Sequence, residues 1–92
     1  MHYLIAYDVA DDRRRHRIAK LLEGYGTRSQ YSLFECHLTP PQLRRLRRCL
    51  DRRLNHETDR LAIYPIAANL APRIQRLGQQ TEIPPPPRST VI

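Results

Sequence analysis

Residues 2–8, HYLIAYD, set Tyr3, Ile5 and Tyr7 on one side and Leu4, Ala6 and Asp8 on the other, the two-residue period of a β-strand. Both sides are largely apolar, so this strand needs cover on each face. Over 11–25 the period changes. Ile18, Leu21, Leu22 and Tyr25 follow i, i+3, i+4, i+7, one buried stripe of a helix. Asp11 or Asp12 is placed to cap its start, and Gly24 and Gly26 mark its stop.

Residues 28–38 are extended, as one long strand or as two short ones meeting near Tyr31–Ser32. Beyond Ser32, Leu33, Glu35 and His37 alternate with Phe34, Cys36 and Leu38. Thr39-Pro40-Pro41 is a strong helix start, a capping hydroxyl followed by prolines whose missing N–H costs nothing there. Leu43, Leu46, Leu50 and Leu54 carry the stripe of that second helix, and RLAIYPI over 60–66 is a further strand in which Pro65 points to a sheet edge or bulge. A short helical turn is expected within ANLAPRIQRLG, and the proline-blocked end is expected to be extended.

This order predicts an α+β sandwich, a small antiparallel sheet with two helices on one face. The opposite face, built from strands apolar on both sides, is left bare, and a sheet-to-sheet homodimer would cover it. Residues 1–78 are expected to form the one folded domain. Residues 79–92 are expected to form an extended proline-rich tail, its last residues able to add a strand to a neighbouring sheet.

Ninety-two residues are near the lower limit for a self-sufficient core. No apolar run approaches the roughly 18 residues of a membrane span, and no secretory signal pattern is visible. Cys36 and Cys49 have no zinc-type spacing, which suggests reduced thiols in a cytoplasmic protein. Sixteen cations, fifteen of them arginine, against nine acids give +7. That balance suits an anionic polymer, and arginine pairs with phosphate through a bidentate fork.

Charge concentrates where the first strand hands over to the first helix, LIAYDVADDRRRHR. Asp8 ends the strand, where a residue on a rigid scaffold points into a loop. A lone aspartate there ordinarily helps to cap the next helix. It becomes a plausible Mg²⁺ ligand when two copies face each other, because Mg²⁺ is commonly held by one or two carboxylates with water and phosphate. Arg13, Arg14 and Arg15 crowd the positive end of the helix dipole, each disfavoured by about 0.3–1 kcal/mol. Uncompensated local cost of this kind marks a functional site. Arg13, Arg17 and Lys20 line the outward helix face, able to follow a phosphate backbone. Arg45, Arg48 and Arg52 do so on the second helix, where a merely solvated face is the simpler account. Tyr7, Tyr31 and Phe34 could stack a base, although core packing is their ordinary role. Glu35 and His37 share a strand face as a conceivable base and orienter.

The run YLIAYDVADDRRRHRIAKLLEGYGTRSQYSLFECHLTPPQLRRL, residues 3–46, closely resembles CRISPR-associated protein 2, the small dimeric partner of the spacer integrase. The resemblance rests on YD closing the first strand, on DD-x-x-R-x-R-I-A-x-x-L, and on YG-x-R-x-Q-x-S-L-F-E. It implies a ferredoxin-like βαββαβ fold, a homodimer, a last strand that pairs with the partner subunit, and a role in spacer acquisition. It further implies Mg²⁺- or Mn²⁺-dependent endonuclease activity on single-stranded RNA or double-stranded DNA. Under it Asp8 is the metal-binding and catalytic aspartate with Tyr7 beside it, and Arg15, Arg17, Arg28, Ser32 and Phe34 fall on the family's nucleic-acid-facing positions. The same resemblance allows a non-catalytic alternative, a scaffold that bridges integrase dimers along the incoming DNA. His37 stands where relatives often carry an acid, making that edge more cationic.

Overall fold

The computed structural model describes residues 1–79 and 83. Its elements are β1 (His2–Asp8), α1 (Asp12–Glu23), β2 (Gly26–Gln30), β3 (Leu33–His37), α2 (Pro40–Arg53), β4 (Arg60–Ile66) and a 3₁₀ turn, η1 (Ala71–Arg73). The four strands form one antiparallel sheet in the order β2-β3-β1-β4. That is the ferredoxin-like α+β arrangement expected from the sequence. The expected tail over 79–92 lies outside the described residues except at 79 and 83.

Local chemistry sets the boundaries. Asp11 is the N-cap of α1, its carboxylate accepting the Arg14 N–H, and Thr39 with Gln42 closes a capping box on α2. The extended stretch resolves into two strands because the chain turns at Tyr31–Ser32. The Tyr7 N–H donates to the Ser32 carbonyl at that turn (3.1 Å). Gly24 caps α1 with ordinary right-handed backbone, whereas Gly26 already belongs to β2.

The core lies between one sheet face and the helices. Tyr3, Ile5 and Tyr7 of β1 and Phe34 and Cys36 of β3 meet Ile18 and Leu22 of α1 and Leu46 and Leu50 of α2. Burial raises the Cys36 thiol to about 11, so it stays protonated. Pro65 sits on β4, at the sheet edge, where its missing N–H disturbs no ladder. The other sheet face is not wholly bare. Leu4, Ala6 and Leu33 are half-buried, but at one corner Arg76, beyond η1, reaches back to Glu35. His2 and Glu35 are buried there.

Candidate nucleic-acid interface

β-Strand alternation places adjacent Tyr7 and Asp8 on opposite faces of the sheet. Tyr7 is buried on the helix side and Asp8 is exposed on the other. The Asp8 side chain makes no hydrogen bond or ion pair among the described residues, and its backbone pairs with that of Arg60 on the neighbouring strand. No group of three or more His, Cys, Asp or Glu side chains able to hold a metal occurs among the described residues.

On the helix side, Tyr7, Arg15 and Arg28 gather around a cavity of about 190 Å³, with Asp12, His16 and Tyr31. Three elements supply them. Tyr7 comes from the end of β1, Arg15 from the first turns of α1, and Arg28 from β2. Arg28 is held over the Phe34 ring, its guanidinium carbon 5.4 Å from the centroid. Arg15 donates to the Val9 carbonyl (3.0 Å) and pairs with Asp12. Burial raises the Tyr7 pKa, so the phenol remains a donor, and its only partner among the described residues is a long contact to the Tyr31 carbonyl (3.5 Å). Two guanidinium groups and a phenolic O–H around so small a space make an anion seat.

The remaining candidates are dispersed. Arg13, Arg17 and Lys20 are exposed along α1. Ser32 lies in the β2–β3 turn, and Phe34 is fully buried, with no surface to offer a base. Arg14 is committed elsewhere, donating through Nε (2.5 Å) and a terminal amino group (2.9 Å) to Asp59. The Asp59 side chain is fully buried and also accepts from the Asn55 N–H and the Thr58 hydroxyl. The Arg14 bond first of all holds the Asp59 pKa down to about 2.

Sequence reasoning also missed a polar chain on the far face. Antiparallel pairing sets His2 against His37. Their ring nitrogens are 2.8 Å apart, and the other His2 nitrogen lies 3.2 Å from Glu35. Arg76 grips the same carboxylate bidentately (2.5 and 2.7 Å). The spacing of Glu35 and His37 was visible in the sequence, but the partners that join them come from 33 and 41 residues away.

These groups make stability pH-dependent in two stages. Burial, then the adjacent His2, depresses the pKa of His37 from 6.5. The unfolded chain therefore binds more protons just below pH 6.5, and stability falls as pH drops from there towards the folded pKa. Glu35, depressed from 4.5 chiefly by Arg76, and Asp59, depressed from 3.8 to about 2, contribute stability above those unfolded values. That contribution is lost as pH falls through their folded pKa values. Urea midpoints are expected to be level above pH 6.5, to decline below it, and to fall again below about pH 4.5. In His37→Gln the first decline disappears; a decline unchanged in that variant assigns it to another group.

Residues 1–73 match the family model described as CRISPR associated protein Cas2. A Chloroflexus aurantiacus protein named CRISPR-associated endoribonuclease Cas2 1 is 48% identical, the match covering 100% of this chain and 97% of that one. The crystal structure of Streptococcus pyogenes Cas2 superposes with a TM-score of 0.77 at 32% identity, covering 85% of this chain and all of that one. A chain from a partial Cas6-RT-Cas1–Cas2 complex matches with a TM-score of 0.57 at 34% identity, over 67% and 76% of the two chains. The chain belongs to the Cas2 family of CRISPR-associated proteins.

Proposed function

We propose that the chain acts in CRISPR spacer acquisition as a nucleic-acid-binding homodimer with metal-dependent endonuclease activity, residues 1–78 forming its folded unit. The observation that carries this reading is the end of β1, where an exposed carboxylate with no partner among the described residues stands on one face of the sheet and a seat formed by Tyr7, Arg15 and Arg28 on the other. The endoribonuclease name of the Chloroflexus relative supports a phosphodiester substrate. The Cas1–Cas2 complex from which one structural neighbour comes supports the spacer integrase as partner.

One Asp8 alone is a poor ion site, because Mg²⁺ needs about six oxygens. Two copies of Asp8 meeting across a dimer axis, with water and substrate phosphate, fit a single Mg²⁺ or Mn²⁺. Such an ion, when bound, supplies Lewis-acid activation of the phosphodiester and of the attacking water. Asp8 holds it in this reading, while on the opposite face of the sheet Arg15, Arg28 and the Tyr7 O–H hold a separate stretch of the phosphate backbone. Arg13, Arg17 and Lys20 track the backbone beyond the site.

The test is cleavage of single-stranded RNA and of duplex DNA by wild type and Asp8→Asn, with Mg²⁺, Mn²⁺ or EDTA, alongside affinity for the same substrates. Cleavage is expected to need metal and to drop at least 100-fold in Asp8→Asn, with binding within about twofold of wild type. Binding without cleavage by either protein would instead establish the scaffold that bridges integrase dimers.

A further inference from the structure

Asp8 has a cation rooted beside it on its own face of the sheet. Residues directly across an antiparallel ladder leave the sheet on the same side, with Cβ atoms about 4.5–5.5 Å apart. The register sets Asp8 across from Arg60, as it sets Ala6 across from Ala62 and Leu4 across from Tyr64. The anion seat of Tyr7, Arg15 and Arg28 lies on the other face.

Both side chains are exposed, and neither makes a hydrogen bond or ion pair among the described residues. Opposite charges in such cross-strand positions ordinarily pair; these two do not, which leaves both open to another partner. The root of Arg60 is fixed even so. Asp59, the residue before it, holds Arg14, the Asn55 N–H and the Thr58 hydroxyl, so the chain enters β4 at a set point. Towards the helices the guanidinium has nothing to gain. There Arg60 borders a groove with Arg44, Arg47 and Arg48 of α2, three like charges. The two acids of that groove are engaged, Asp51 with His56 (3.2 Å) and Asp59 with Arg14.

We propose that Arg60 is the catalytic residue that holds the reacting phosphodiester at the Asp8 centre, an inference that rests on the metal-dependent nuclease reading above. A phosphate bound at Asp8 needs a cation on that face, and the anion seat faces the other way. Arginine suits the task, its planar fork matching two phosphate oxygens. Charge then couples metal to substrate. In the homodimer each Asp8 carboxylate is offset by an Arg60 guanidinium, so the protein alone draws a divalent cation weakly. A phosphodiester on Arg60 restores negative charge beside the carboxylates, and each ligand strengthens the binding of the other by the same factor. Arg60 acts through its side chain, which leaves the backbone at the outer edge of β4 free to pair with a strand of the partner subunit.

The test joins two readouts on the full chain. Mn²⁺ binding without nucleic acid is read from the EPR signal of the free ion, and single-turnover cleavage is measured on single-stranded RNA and duplex DNA. The variants are Arg60→Gln, Arg60→Lys, Asp8→Asn and, as a control for loss of a nearby charge, Arg44→Gln. All three positions are exposed, so wild-type urea midpoints are expected. Arg60→Gln is expected to bind Mn²⁺ about threefold more tightly, a like charge having been removed. It is also expected to cleave about 100-fold more slowly, in the range for loss of one charge-stabilising donor. Arg60→Lys should keep the wild-type Mn²⁺ affinity and recover part of the rate, and Arg44→Gln should change neither. A residue that only supports the fold would weaken both together. Mn²⁺ affinity unchanged or lowered in Arg60→Gln overturns the inference, as does cleavage at the wild-type rate; with Asp8→Asn inactive, the nuclease reading then stands without it. Cleavage by Asp8→Asn at the wild-type rate, or by none of the proteins, removes the nuclease reading and this inference with it.

Discussion

Phe34→Ala is expected to lower stability by about 3–5 kcal/mol, a large share of the roughly 5–15 kcal/mol that holds a domain of this size together. Phe34 is 0% exposed and is the largest of the fully buried side chains. Its ring centroid is 6.3 Å from that of Tyr7, and its face supports the Arg28 guanidinium. Truncation thus opens a cavity beneath two of the three groups of the anion seat. Loss of nucleic-acid binding in this variant follows from unfolding and from a misplaced Arg28, with no contact between ring and base involved.

Phe34→Leu separates the two effects. It keeps most of the apolar volume and costs less than about 1.5 kcal/mol, while removing a cation–π contact worth about 0.5–1 kcal/mol. Urea unfolding is expected to show Phe34→Leu folded and Phe34→Ala strongly destabilised. Affinity of Phe34→Leu for RNA and duplex is expected to fall no further than that of Arg28→Ala. A folded Phe34→Leu that binds more weakly than Arg28→Ala would give the ring a role of its own.

The fold was legible because its signals are local. Leucine stripes at 43, 46, 50 and 54, the Thr39-Pro40-Pro41 start and alternation through β1 and β3 each depend on residues within one turn or strand. Alternation alone also places Phe34 with Cys36 and Leu38, all of them in the core. Core packing, the ordinary role of such a ring, is the one Phe34 takes, and the family resemblance pointed it towards nucleic acid. Elements of the site were legible as residue types near the end of β1, but their arrangement was not. Tyr7 and Asp8 are neighbours in sequence yet serve opposite faces. Arg14 and Arg15 are neighbours too, and differ in role because a buried carboxylate 45 residues away claims Arg14. The polar chain from Arg76 through Glu35 to His2 and His37 depends on strand register and on the return of the chain after β4. Neither is written in any local pattern.

Gly26→Ala tests how closely β2 must approach β3 for the anion seat to exist. A Cβ at Gly26 would lie 2.3 Å from the Glu35 carbonyl oxygen and 2.4 Å from the Cys36 sulfur, with the Cys36 Cα at 3.0 Å. Two of those neighbours are backbone atoms of a central strand, and the third is a buried side chain. None can swing aside, so relief requires β2 to part from β3. The expected loss is roughly 3 kcal/mol, at the upper end for overpacking. Gly24→Ala is the matched control. Gly24 has φ −74° and ψ −9°, open to any residue, and a Cβ there meets only the Leu21 carbonyl oxygen at 3.4 Å. By limiting the unfolded chain, that alanine is expected to be neutral or to stabilise by up to about 1 kcal/mol. Arg28 lies two residues beyond Gly26 on the same face of β2, so a displaced strand also carries Arg28 away from Tyr7 and Arg15. Urea midpoints and duplex affinity should therefore fall together in Gly26→Ala and hold together in Gly24→Ala. A Gly26→Ala protein with the wild-type midpoint would mean that the two strands have room which the register denies them.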